Sequence, residues 1–211
     1  MRQTSPSIGR PVSSRMYAEV CVPMFRFLLG IVLGIILVPV AVVVWLRCGA
    51  VPVAVADPPF PREKLITHVA LNARIDREKQ NVTLEPNEDN LVAGAQIYRD
   101  QCAACHGLAG KPSSFGAHMY PSAPSLWEKH KNKPSVVGVS DDPPGETLWK
   151  VENGIRLTGM PSYKQILTDT QMAQVSVLLA NADKPLPPAA LEILRGETPP
   201  AAPPPAPVKK K

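Results

Sequence analysis

The sequence predicts a mainly α chain with three parts: one apolar membrane helix, a small helical domain and a proline-rich tail. Three observations carry this. Phe27 to Leu46 is an uncharged apolar run of 20 residues. Two later segments, after Asn87 and after Thr168, repeat their apolar residues at helical spacing. Nine of the 25 prolines crowd into residues 184–211. The expected organisation is an N-terminal cytoplasmic segment (1–26), a transmembrane anchor (27–46), a linker (47–86), a globular domain (87–183) and a disordered Pro/Ala-rich tail (184–211).

The apolar run matches the roughly 30 Å hydrocarbon core at 1.5 Å rise per residue. Arg26 and Arg47 bracket it, Trp45 stands where an interfacial aromatic belongs, and Arg2, Arg10 and Arg15 favour a cytoplasmic N-terminus. A cleaved signal peptide is the competing reading, since Ala54-Val55-Ala56 resembles a cleavage site. The run is longer than a usual signal core, so an uncleaved anchor is preferred. The formal charge of +5 does not indicate nucleic acid. Residues 1–56 hold five arginines and one acid, and three lysines close the tail, so the basicity flanks the anchor and ends the chain.

After the anchor, Pro58, Pro59 and Pro61 begin a stiff connector, in which Leu65 to Lys79 can form a short amphipathic helix. Asn87 is the expected N-cap of the next helix, with Glu88 and Asp89 in its first turn. Leu91, Ala95, Tyr98 and Cys102 then share one face, and Gly94 beside them permits a second helix to cross closely. Lys111 to Pro144 reads as a proline-rich loop that wraps something rigid. Gly145 to Asn153 is a short helix closed by Gly154, and Thr168-Asp169-Thr170-Gln171 is a capping box opening the helix of Met172, Val175, Leu178 and Leu179.

Of four cysteines, Cys21 and Cys48 flank the anchor. The other two form Cys102-Ala103-Ala104-Cys105-His106, the spacing of a c-type haem attachment site. Two thiols three positions apart can form thioethers to both vinyl groups of one porphyrin, and His106 is then placed as an iron ligand. Zinc would want a second Cys/His pair, and a thioredoxin-like motif would want a βαβ context. The sequence offers neither. One covalent haem c is therefore expected. Met160, between Gly159 and Pro161 and 54 residues after His106, is the expected second ligand. His68, His118 and His130 remain bis-histidine alternatives. Arg156 is a candidate partner for a haem propionate, and Trp149 a candidate to pack or hydrogen-bond near it, each with a plain surface or core role as the alternative.

These residues resemble the mono-haem class I cytochrome c family over roughly residues 90–183: the first helix with Gly94 and Tyr98, the CxxCH, the Gly-Met-Pro loop and the last helix. The resemblance implies a helical domain around one covalent haem, with its first and last helices crossing at Gly94. Ala123-Pro124-Ser125-Leu126 is similar to the family's Pro-x-Leu element. By that likeness the Pro124 carbonyl accepts from His106 Nδ1, and Leu126 packs on the haem. The chain departs from the pattern in lacking an aromatic near Leu178 and Leu179 and in its long proline-rich loop.

Two occupied axial positions suit electron transfer rather than catalysis, and methionine raises the potential relative to bis-histidine iron. Haem attachment belongs to the outer face of the bacterial inner membrane, so the expectation is a single-pass, periplasmic electron-transfer cytochrome with redox protein partners. Its alternatives are the haem subunit of a larger respiratory or dehydrogenase complex, and a haem sensor or enzyme with a labile methionine.

Overall fold

The computed structural model describes residues 14–49 and 51–197, with side chains from residue 24 onward. The expected N-terminal segment lies outside the described residues as far as residue 13, as does the tail from residue 198. The chain divides into two units, Met1–Val53 and Ala54–Lys211.

The first unit contains α1 (Ser14–Cys48), whose stretch Met24–Cys48 is long and apolar enough to cross a membrane. It exposes its aliphatic side chains on every side, a surface that water disfavours and lipid does not.

The second unit begins with α2 (Glu63–Glu78) and α3 (Glu88–Gln101). Asn87 caps α3 by accepting from the Asn90 N–H at 2.9 Å, and the buried face carries Leu91, Ala95, Ile97 and Tyr98. Next come the one-turn helices α4 (Ala103–His106) and α5 (Ser114–Ala117), a hairpin of β1 (Lys129–His130) and β2 (Lys133–Val137), and α6 (Pro144–Asn153). Then α7 (Asp169–Ala180) opens on a complete capping box: the Thr168 hydroxyl accepts from Gln171 N–H while Gln171 Oε1 accepts from Thr168 N–H. It buries Met172, Val175, Leu178 and Leu179.

Helices α3 and α7 cross at Gly94. A Cβ there would stand 2.6 Å from the Gln174 carbonyl oxygen and 3.1 Å from Leu178 Cβ. Any side chain would force the helices apart. One turn earlier, Gln174 donates to Asn90 Oδ1 at 3.2 Å and fixes the crossing.

Three segments differ from the sequence expectation. The wrapping loop is not bare, since it contains α5 and the hairpin. The connector's helix is docked: Ile75 is buried, and Trp149 of α6 donates to Glu78 at 2.9 Å. The tail starts later than residue 184, because Pro188–Arg195 forms α8 and packs on α3. Proline at the first position of a helix gives up an N–H that would be unpaired anyway. Ala190, Ile193 and Leu194 then fall on one buried face. The end of α8 is tied back, with Ala109 N–H donating to the Leu194 carbonyl at 3.0 Å and Lys111 Nζ to the Arg195 carbonyl at 2.9 Å. Leu194→Ala should accordingly destabilise the domain by about 2–5 kcal/mol in urea unfolding. A change within a few tenths of a kcal/mol would mean that α8 is not part of the core.

Candidate haem site

Helix α3 ends on Cys102, whose N–H donates to the Tyr98 carbonyl at 2.8 Å. The chain then makes one tight turn, in which Cys105 N–H and His106 N–H both donate to the Cys102 carbonyl at 3.1 and 2.9 Å. Residues three apart on a helical turn share a face, so the two thiols sit one above the other. Tyr98, fully buried, donates its hydroxyl to the Gly107 carbonyl at 2.7 Å and pins the exit of the turn.

His106 Nδ1 lies 2.8 Å from the Pro124 carbonyl oxygen. A carbonyl only accepts, so Nδ1 carries the proton and Nε2 presents its lone pair. Burial lowers the His106 pKa, and the Pro124 hydrogen bond opposes that only in part, which favours the neutral ring a metal ligand needs. Leu126 is buried, and its N–H reaches back to the His106 carbonyl at 3.4 Å. Burial, with Cys105 beside it, pushes the Cys102 thiol up to about 12. It is a neutral thiol, unlike the activated thiolate of a redox CxxC.

The Met160 loop is held from inside. Gly154 adopts a left-handed φ of 67°, and a Cβ on it would stand 2.7 Å from Pro161 C and Ser162 N. The Thr158 hydroxyl donates to the Ile155 carbonyl at 2.7 Å and accepts from Met160 N–H at 3.1 Å, while Ile155 N–H donates to the Met160 carbonyl at 3.2 Å. Tyr163 fastens this loop to the end of α3, its hydroxyl donating to the Gln101 carbonyl at 2.8 Å. Burial first, then the nearby Cys102 and Cys105, raise the Tyr163 pKa to about 12. The methionine loop and the cysteine turn therefore converge on one neutral wall. Met160 and Cys102 both pack, partly buried, against the same apolar cluster.

Other candidates stand apart. Trp149 does not offer its N–H to this wall, because Glu78 takes it. Arg156 is exposed at the loop's outer edge. His118 and His130 spend a ring nitrogen on the carbonyls of Ser114 and Gly138, at 2.7 and 2.6 Å, and His68 is exposed on α2. Sequence reasoning missed Met119, whose methyl lies against Gly159 beside Met160. It also missed the roles of Thr158 and Tyr163, which are contacts rather than motifs.

The donor set suits a haem. The side chains are one neutral imidazole, two thiols and a thioether, and among the described residues no cluster of three His, Cys, Asp or Glu groups could hold a bare ion. Near Leu126, Ser125 Oγ is buried without a hydrogen-bond partner. Such a polar atom is expected where a polar ligand group is to be met. Residues 89–178 match the family model described as cytochrome C oxidase, cbb3-type, subunit III. No curated protein and no solved structure matches the chain.

Tyr163→Phe tests the strap between loop and helix. Losing the bond to Gln101 should cost about 1–2 kcal/mol in urea unfolding, with Trp149 and the capped ends of α7 untouched. An unchanged midpoint would show that the strap carries no weight.

Proposed function

We propose that this chain, whose residues 89–178 match the cytochrome C oxidase, cbb3-type, subunit III family model, is a membrane-tethered periplasmic electron carrier with one covalent haem c. Cys102 and Cys105 would hold the haem by thioethers, and His106 and Met160 would ligate its iron. The observation that carries this is the 2.8 Å contact of His106 Nδ1 with the Pro124 carbonyl, since it orients the ring and leaves Nε2 free to ligate.

When bound, the haem supplies one-electron exchange at its iron. The chain's own residues do the rest. Pro124 and the Gly107 turn hold His106 at one fixed angle. Thr158 and Tyr163 brace the loop that carries Met160, which lowers the ordering cost of keeping the thioether in place. With His106 and Met160 both holding the iron, no site would be left for substrate, so the domain would carry electrons rather than catalyse. Leu126 packs under the histidine turn and keeps water from it. Helix α1, apolar over Met24–Cys48, would confine the carrier to the membrane, with the haem domain on the periplasmic side.

The test is a redox titration read with optical spectra. Met160→Ala should keep its haem through acid–acetone extraction, lose the methionine-to-ferric charge-transfer band, and fall in potential. Unchanged spectra would remove Met160 from the site.

A second reading has its own support: the matched family is named for a subunit of an oxidase. Next to Met160, Leu157 is an exposed leucine (85%) with a left-handed φ of 61°, a strained apolar side chain turned outward. Such a residue suits contact with a permanent partner. Purification in mild detergent decides between the two: a redox subunit that co-purifies stoichiometrically favours the complex, and a lone anchored cytochrome favours the free carrier.

A further inference from the structure

Helix α2 has two faces. One is docked on the domain, through buried Ile75, half-buried Leu71 and the Glu78 carboxylate that accepts from Trp149. The opposite face has no protein cover. Leu65, Ile66 and Val69 are exposed at 60%, 65% and 61%, and Ala70 and Ala73 continue them at spacings of three and four residues. Phe60, 48% exposed, stands just before the helix. At about 100° per residue, Arg77 and Asp76 fall on this same face near its C-terminal end, while Arg62, with a φ of 64°, stands just before its N-terminal end.

The acids near it are already engaged. Asp76 is paired with Lys79 at 2.7 Å, and Glu63 accepts from the Phe60 N–H at 2.9 Å. An apolar stripe framed by arginines is what an anionic lipid surface attracts.

The segment leading to α2 argues the same way. Between Arg47 and Arg62 the only charged residue is Asp57, and Val53 and Val55 are exposed at 88% and 58%. The tether is thus mostly apolar, and Pro58, Pro59 and Pro61 stiffen its end. From Cys48 to Phe60 the chain reaches at most about 40 Å even when fully extended, so α2 cannot stray far from a bilayer that α1 crosses.

We propose that α2 is an interfacial helix: its Leu65, Ile66 and Val69 face enters the headgroup region of an anionic bilayer while its other face holds the haem domain. The domain is then fixed in orientation at the membrane surface instead of swinging on a loose tether. This rests on the reading of α1 as a membrane span.

The experiment uses the full-length haem protein in vesicles of phosphatidylcholine with phosphatidylglycerol, with Cys21→Ser and Cys48→Ser and a single nitroxide on Val69→Cys. Collision with oxygen should exceed collision with a polar nickel chelate several-fold at Val69, and the order should reverse for a label on Thr67→Cys. The same label on Ile66→Cys repeats the measurement should Val69→Cys fold poorly, and an intact haem spectrum reports folding. Equal access of the nickel chelate at Val69, Ile66 and Thr67 would overturn the proposal. Shielding from both reagents with dipolar broadening would mean a second copy covers the face, and would overturn it too. A label on Val38→Cys reports the anchor separately. Deep burial at Val38 with water at Val69 refutes the interfacial helix alone, whereas water at both refutes the membrane reading itself.

Discussion

Helix α3 has to pass α7 at backbone contact, because at Gly94 nothing stands between it and the Gln174 carbonyl. The rest of the domain depends on that crossing. It sets the last turn of α3 at a fixed height above α7, and that turn supplies nearly every anchor of the site. Tyr98 reaches forward to hold Gly107, the Tyr98 carbonyl receives Cys102, and the Gln101 carbonyl receives Tyr163. The last carbonyls of a helix lack partners within it. Here two of those carbonyls bind the two walls of the site, so capping the helix and assembling the site are one event. Separating α3 from α7 would shift Cys102 and the methionine loop together.

The wall so formed carries no charge at neutral pH. Burial lowers the pKa of His106 and raises those of Tyr98, Tyr163 and Cys102, and each shift favours the neutral form. A low-dielectric wall of neutral donors penalises an added positive charge near it, which favours the reduced state of a one-electron centre. The same neutrality separates this CxxC from thiolate chemistry, where a lowered thiol pKa is the working feature.

Much of this was legible in the sequence where the cause is local. Asn87 and the Thr168–Gln171 box announce their helices because capping acts over three residues. The Cys102–His106 spacing and the Gly-Met-Pro setting of Met160 are also local patterns. Pro124 and Leu126 became candidates only through the resemblance to class I cytochromes c. What stayed hidden is non-local. The bond from Tyr163 to Gln101 spans 62 residues, and that from Trp149 to Glu78 spans 71. The hairpin at Lys129–Val137 is short, mostly exposed and irregular in register, so it shows no alternation to read. Helix α8 was masked by composition: Pro187 and Pro188 suggest an extended tail, although proline at a helix start is favourable and Ala190, Ile193 and Leu194 follow at the right spacing.

The docking of α2 changes what the connector is. Trp149 donates to Glu78, and Arg74 pairs with it, both lowering its pKa. Arg74 also lies over the Trp149 ring, 5.8 Å from its centroid. Exposed ion pairs of this kind contribute little by themselves. The buried Ile75 side chain and the indole of Trp149 supply the apolar contact that makes the pair persist, and the Gln80 carbonyl closes against Gly145 where a side chain would intervene. A connector fixed at this end has lost most of its freely jointed length. Only the stretch before Phe60 remains to adjust, and a shorter flexible tether raises the effective concentration of the domain at whatever surface its other end occupies. Trp149 is thus better understood as the residue that couples the domain to its leash than as part of the haem pocket, which accounts for a tryptophan so close in sequence to the methionine loop whose N–H points elsewhere.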